Sequence, residues 1–122
     1  MAETPLSGQL FDFCRALPGV TEDVKWGDNL VFSVGGKMFA VFDLPDGEPL
    51  SCKVTPGAFD KLTQRPGIRP APYLAKHSWI SLETCTTLPL ALLQDLLEES
   101  HALAAEKLSR KRRGELGIGE GE

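Results

Sequence analysis

The segment from Pro70 to Leu82 reads PAPYLAKHSWISL and gathers Tyr73, Lys76, His77 and Trp79 into one short stretch. Two aromatic rings offer stacking surface, while an ammonium and an imidazole offer positive charge. Such a set suits an anion or a base. Pro70 and Pro72 bend the chain ahead of the apolar run Trp79 to Leu82, so the polar groups would stand at the entrance of a strand. A plainer reading carries equal weight at this stage, with Trp79 in the core and Lys76 and His77 as ordinary loop residues.

Other chemistry is thinly represented. A nucleophile working with a base needs a hydroxyl or thiol near a histidine, and only His77 and His101 are available, the latter beside Ser100. Neighbours on a helix point about 100° apart, so Ser100 and His101 do not form such a pair. The phosphate-loop, dinucleotide, HExxH and paired CxxC signatures are all missing from the sequence. Cys14, Cys52 and Cys85 are odd in number and far apart, which reads as small buried hydrophobes rather than a disulfide framework or a metal site. The residues therefore nominate no catalytic group, no metal ligand and no cofactor. Two alternatives stay open: a carboxylate pair brought together by folding, and an enzyme using Lys76 or His77 as a base in a cleft.

The 122 residues suit one domain, with 42% hydrophobic and 25% charged residues. No apolar run approaches the roughly 20 residues of a membrane span, and the N-terminal MAETPLSGQL lacks the basic and apolar regions of a signal peptide, so a cytoplasmic protein without membrane contact is expected, as a monomer. The net charge of -4 hides an asymmetry, because Lys107, Arg110, Lys111, Arg112 and Arg113 crowd one segment. Acids at Asp95, Glu98 and Glu99 precede those bases, an order that complements a helix dipole; a solvated helix end is favoured over a nucleic-acid arm for the cluster.

Positioning these groups requires a scaffold, which periodicity supplies. Thr4 and Pro5 open a helix running to about Ala16, with Leu6, Leu10, Phe13, Cys14 and Leu17 as its inner stripe, closed by Pro18 and Gly19. Val24 and Trp26 predict one face of a short strand. Leu30 to Val34 and Lys37 to Asp43 flank Gly35-Gly36, a two-residue hairpin signal. Pairing Val34 with Lys37 predicts Phe32 opposite Phe39 and Leu30 opposite Val41 on the core face, with Val31, Ser33, Met38, Ala40 and Phe42 on the other. Leu50 to Val54 predicts a strand with Lys53 on its outer face, and Gly57 to Gln64 a weak helix begun by Thr55 and Pro56. A proline-rich loop leads to the strand at Trp79, and a long helix beginning near Pro89 presents Leu93, Leu96, Leu97, Ser100, Leu103, Ala104 and Leu108. One domain over residues 1–113 with a disordered tail over 114–122 is expected.

With these residues identified, the chain resembles the MmcQ/YjbR family of small bacterial proteins. The resemblance spans Leu10 to about Leu108 and rests on the turn Leu17-Pro18-Gly19, the hairpin VGGKMFAVF, the strand LSCKVTP, the stretch PAPYLAKHSWISL and the helix ESHALAAEKL. It implies an α+β, two-layer sandwich of the CyaY or frataxin-like kind, an antiparallel sheet with N- and C-terminal helices on one face. It also implies a non-catalytic DNA-binding protein of the double-wing type, touching phosphates through Lys37, Lys53 and Lys76, with Tyr73 positioning the loop; Arg110, Lys111, Arg112 and Arg113, which lie beyond the resemblance, are accessory candidates that would strengthen so small a set of contacts. The helical motif more often carries an aromatic where this chain has His101. Frataxin's iron-binding acids have a counterpart in the first helix only at Asp12, so iron is not implied. The alternative expectation is a module for a small anion or a protein partner, in which Lys53, Lys76 and Tyr73 line a pocket.

Overall fold

The computed structural model describes residues 6–44, 47–72 and 74–118, with the side chain of residue 75 excepted. In chain order the elements are α1 (Leu6–Arg15), β1 (Val20–Lys25), β2 (Asn29–Val34), β3 (Lys37–Asp43), β4 (Leu50–Lys53), α2 (Pro56–Leu62), β5 (Ile68–Pro70), a 3-10 turn (Ala75–His77), β6 (Trp79–Leu82), α3 (Leu90–Ala105) and α4 (Arg110–Glu115). The strands form one antiparallel sheet in the order β1-β2-β3-β4-β6-β5. This is the α+β, two-layer arrangement expected from the sequence, with α1 and α3 packed together on one face.

Two ladder rows show how side-chain alternation sorts the sheet into a dry face under the helices and an opposite face, on which Val31 and Ser81 are nevertheless buried. Glu22, Phe32, Ala40, Cys52, Ile80 and Pro70 lie in register across all the strands, and the four central members belong to the core under α1 and α3. The next row, Asp23, Val31, Val41, Ser51, Ser81 and Arg69, faces away from the helices. Phe32 anchors the dry side, its ring 5.9 Å from that of Phe42 in an edge-on arrangement and within 6.4 Å of Phe11 and Phe39.

The hairpin departs from the expected register. Gly35 and Gly36 take the positive φ angles of 57° and 85° that a primed turn demands. Between Phe32 and Ser33, however, a bulge shifts the pairing, so that Phe32 meets Ala40 and Leu30 meets Phe42. The extra residue is Phe39, and Phe39, Ala40 and Phe42 all reach the core while Val41 turns outward. The expected pairs Phe32–Phe39 and Leu30–Val41 are thereby replaced. Trp26 also differs: β1 ends at Lys25, and Trp26 stands in the following turn with φ of 51° and 65% exposure.

At the C-terminal end, α3 stops at Ala105, and Ser109 caps a separate helix by accepting from the Arg112 N–H. Arg110 to Arg113 thus belong to a new, short helix instead of closing the long one, and their charge does not complement the dipole of α3; Arg112 and Arg113 stand in the last turn of α4. The expected disordered tail begins too early at Gly114. Gly114 and Glu115 are helical, and Leu116 and Ile118 pack against the core; residues 119–122 lie outside the described residues. Leu108 and Leu116 press on Gly35, which seats α4 against the β2–β3 hairpin tip.

Candidate anion-binding site

Antiparallel pairing sends the start of β3, the end of β4 and the start of β6 to the same end of the sheet, which puts Lys37, Lys53 and the 3-10 turn with Lys76 at that end. The C-terminal end of α3 and the whole of α4 are there as well, since α4 docks on the hairpin tip. A chain of net charge -4 accordingly collects Lys37, Lys53, Lys76, Lys107 and the α4 cations at one end. Many of its acids lie elsewhere, with Asp28, Asp43 and Glu48 near the opposite strand ends.

Lys53 is the most firmly built of these groups. Its backbone N–H donates to Ser100 Oγ at 2.9 Å, and the same hydroxyl donates to the Phe39 carbonyl at 2.6 Å. The β3–β4 ladder ends at the pair Ala40–Cys52, and Ser100 inserts its hydroxyl where the next rung would fall. The Lys53 Nζ then donates to the His77 carbonyl at 2.7 Å, and Val54 N–H donates to the Ser78 carbonyl at 2.9 Å. Ser78 itself has φ of 66°, a left-handed conformation that reverses the chain between the 3-10 turn and β6.

These contacts shape a depression of about 360 Å³ whose lining includes Lys53, Lys76, His77, Leu103, Glu106 and Lys107. Burial, and then the charge of Lys107, hold the Lys53 ammonium below the ordinary lysine pKa. Among the described residues, Lys53, Lys76 and Lys107 have no salt-bridge partner, although the Glu106 carboxylate lines the same depression. Three ammonium groups around one concavity with a single carboxylate form a site that gains from an anion. Replacing Lys107 by Ala is expected to move the Lys53 pKa back up, because it removes the like charge; a titration of the Lys53 side-chain signals by NMR reads the direction. An unmoved or lowered value would show that Lys107 does not act on Lys53.

Of the residues singled out in the sequence, Lys53 and Lys76 meet in this depression, whereas Lys37 is exposed at the hairpin tip and does not line it. Tyr73 lies outside the described residues. Arg110, Lys111, Arg112 and Arg113 sit beyond Lys107 on α4, with Arg112 reaching Glu115 at 3.5 Å. Lys107 was missed as a site residue. Its signal was the helical series Ser100, Leu103, Lys107, which continues the face that meets Lys53.

The three thiols and His101 belong to the packed interior. Burial pushes the thiols of Cys52 and Cys85 up to about 12 and about 11, and raises that of Cys14 as well. His101 is buried, donates from Nε2 to the Pro18 carbonyl at 2.8 Å and meets Phe39 edge-on at 5.3 Å, filling an aromatic's place between α3 and the turn after α1. Among the described residues no cluster of His, Cys, Asp or Glu suits a metal ion, and no helix is long and apolar enough to cross a membrane.

An antiparallel sheet roofed on one face by two helices, with a lysine-lined depression at its hairpin end, defines a small α+β domain of the YjbR type. The YjbR family model matches residues 15–103, and the chain belongs to that family. Among solved structures it is similar to the Deinococcus radiodurans protein DR2400, which carries a DUF419 domain, at 33% identity over 96% of this chain and 93% of that one, with a TM-score of 0.83. A protein from Pseudomonas syringae is similar at 25% identity over 79% of this chain and 96% of that one, with a TM-score of 0.65. No curated protein matches the chain significantly.

Proposed function

We propose that this protein is a non-catalytic nucleic-acid-binding module that grips phosphates with the cationic end of its sheet. The observation that carries this reading is the convergence of Lys53, Lys76 and Lys107 on one depression without salt-bridge partners among the described residues. Lys53 is pre-positioned by Ser100 and the His77 carbonyl, so little side-chain freedom is left to lose when a phosphate arrives. Lys37 and the α4 cations extend the positive end beyond the depression and let a phosphate backbone run past it. The buried, protonated thiols and the committed His101 support binding over catalysis.

A second reading has its own observation. The depression is concave and local, which suits a single phosphate-bearing small molecule as well as a strand. The experiment is binding of a labelled DNA duplex at low salt, with inorganic phosphate and a short polyphosphate as competitors. Three phosphate contacts give affinity that falls about forty-fold between 50 and 200 mM salt. Duplex binding that weakens in this way, and that is reduced in Lys53→Ala with Lys76→Ala and Lys107→Ala, supports the nucleic-acid reading. Saturable phosphate binding without duplex binding favours the small anion, and neither would remove both.

A further inference from the structure

On the face of the sheet turned away from the helices lies a second concavity, a slot of about 520 Å³. Its floor is made by Met38, Val41 and Ser51 of adjacent strands, one side by Trp26 in the β1–β2 turn, and the other by Pro72 in the loop before β6, with Asn29 at its margin. Among the described residues lining it, none is ionisable. A phosphate or carboxylate entering it would be stripped of water with no charge to replace it. Trp26 adopts a left-handed backbone conformation that side chains other than glycine rarely take, yet leaves its indole 65% exposed over the slot instead of packing it into the core. Strain of this kind is retained where the placement of a side chain matters. Ser51 and Asn29 have no hydrogen-bond partner for their side chains among the described residues, so a hydroxyl and an amide with both donor and acceptor capacity stand unused beside apolar walls.

We propose that this slot binds a planar, uncharged heteroaromatic ring, stacked on Trp26 and hydrogen-bonded along its edge by Asn29 and Ser51. An aliphatic ligand would leave the amide and hydroxyl dry and unpaired, and a charged one would meet no opposite charge among the described lining residues; a ring with donors and acceptors on its edge satisfies both limits. Two sources supply that chemistry, the unpaired base of a nucleic-acid strand and a free nucleoside-like molecule. The loop that contributes Pro72 to the slot continues into Lys76 and His77 of the lysine depression, so a strand with phosphates at the lysines could extend a base across it. The slot's ring chemistry itself stands apart from the phosphate reading, since an uncharged ligand makes no use of the lysines.

The test uses the full chain in an NMR titration that follows the two indole N–H signals, with Trp79, 4% exposed, as the buried reference. Adenosine is the uncharged probe, followed by a short single-stranded oligo-dA and a duplex of the same length. The expected result is a saturable shift of Trp26 and of the Asn29 amide with adenosine, and affinity reduced about 5-fold or more in Trp26→Ala, in line with alanine replacement of stacking residues. Because Trp26 is exposed, that variant keeps its core; Ser51→Ala, which removes the hydroxyl and adds no bulk to the slot, is expected to weaken binding as well. Tighter binding of the single strand than of adenosine or the duplex assigns the ring to an unpaired base, and equal or weaker binding assigns it to a free molecule. No response at Trp26 to any probe, binding undiminished in Trp26→Ala, or a Trp26-dependent self-association in place of ligand binding would overturn the proposal. The salt dependence of duplex binding is read separately, so failure here leaves the phosphate reading intact and the reverse holds too.

Discussion

Ser100→Ala is expected to lower the unfolding free energy by about 2–4 kcal/mol, a large loss for one hydroxyl. The side chain is fully buried and serves two strands at once, donating to the Phe39 carbonyl and accepting from the Lys53 N–H. Alanine leaves the Lys53 N–H without its acceptor and deprives the Phe39 carbonyl of a donor. Urea denaturation gives the free energy, and Ser100→Cys, a weaker hydrogen-bonding group of similar shape, should fall between wild type and alanine. A loss below about 0.5 kcal/mol would show that the gap between β3 and β4 closes on its own, within the range of an ordinary surface change. The substitution should also loosen Lys53, so anion binding is expected to weaken alongside stability.

Phe32→Ala is expected to cost about 3–5 kcal/mol, the range for deleting a buried aromatic ring. Phe32 has no exposed surface and is the common neighbour of Phe11, Phe39 and Phe42, which ties α1 to β2 and β3. Removing it opens a cavity that three rings, themselves held by helix and sheet, cannot readily fill. The contrast is Val24→Ala on the edge strand, 59% exposed, where a change within about 0.5 kcal/mol is expected. Equal effects at the two positions would mean that the bulged register around Phe39 does not build the core described here.

The layout of the domain could be read from the chain because its punctuation is strong. Gly35-Gly36 allows a turn that few other pairs do, Thr55-Pro56 marks a helix start that the structure realises with Thr55 accepting from Ala58 N–H, and the leucine stripe of α3 has nowhere to go but inward. What escaped depends on partners distant in sequence. Phe39 is the bulged residue of the β2–β3 pair, and on its other side its carbonyl accepts from Ser100, 61 residues away; no local pattern announces either feature. The charge of Arg110 to Arg113 suits the end of the long helix, while Ser109 directly ahead of them is a helix-starting residue, and the structure follows Ser109. Lys107 became a site residue only once α3 ended where it does and delivered that side chain to Lys53. Trp26 alternates like a strand residue, yet its place depends on a backbone conformation that residues other than glycine rarely adopt, which no propensity argument reaches.

Whether the lysine end of the sheet engages phosphates is tested most directly by the salt dependence of nucleic-acid binding, measured for the wild type and for Lys53→Ala with Lys76→Ala and Lys107→Ala. Each phosphate contact contributes about -0.9 to the slope of log K against log salt, so the triple variant is expected to show a slope shallower by about 3. An unchanged slope, with the variant folded and binding as tightly as the wild type, would contradict the assignment of the site.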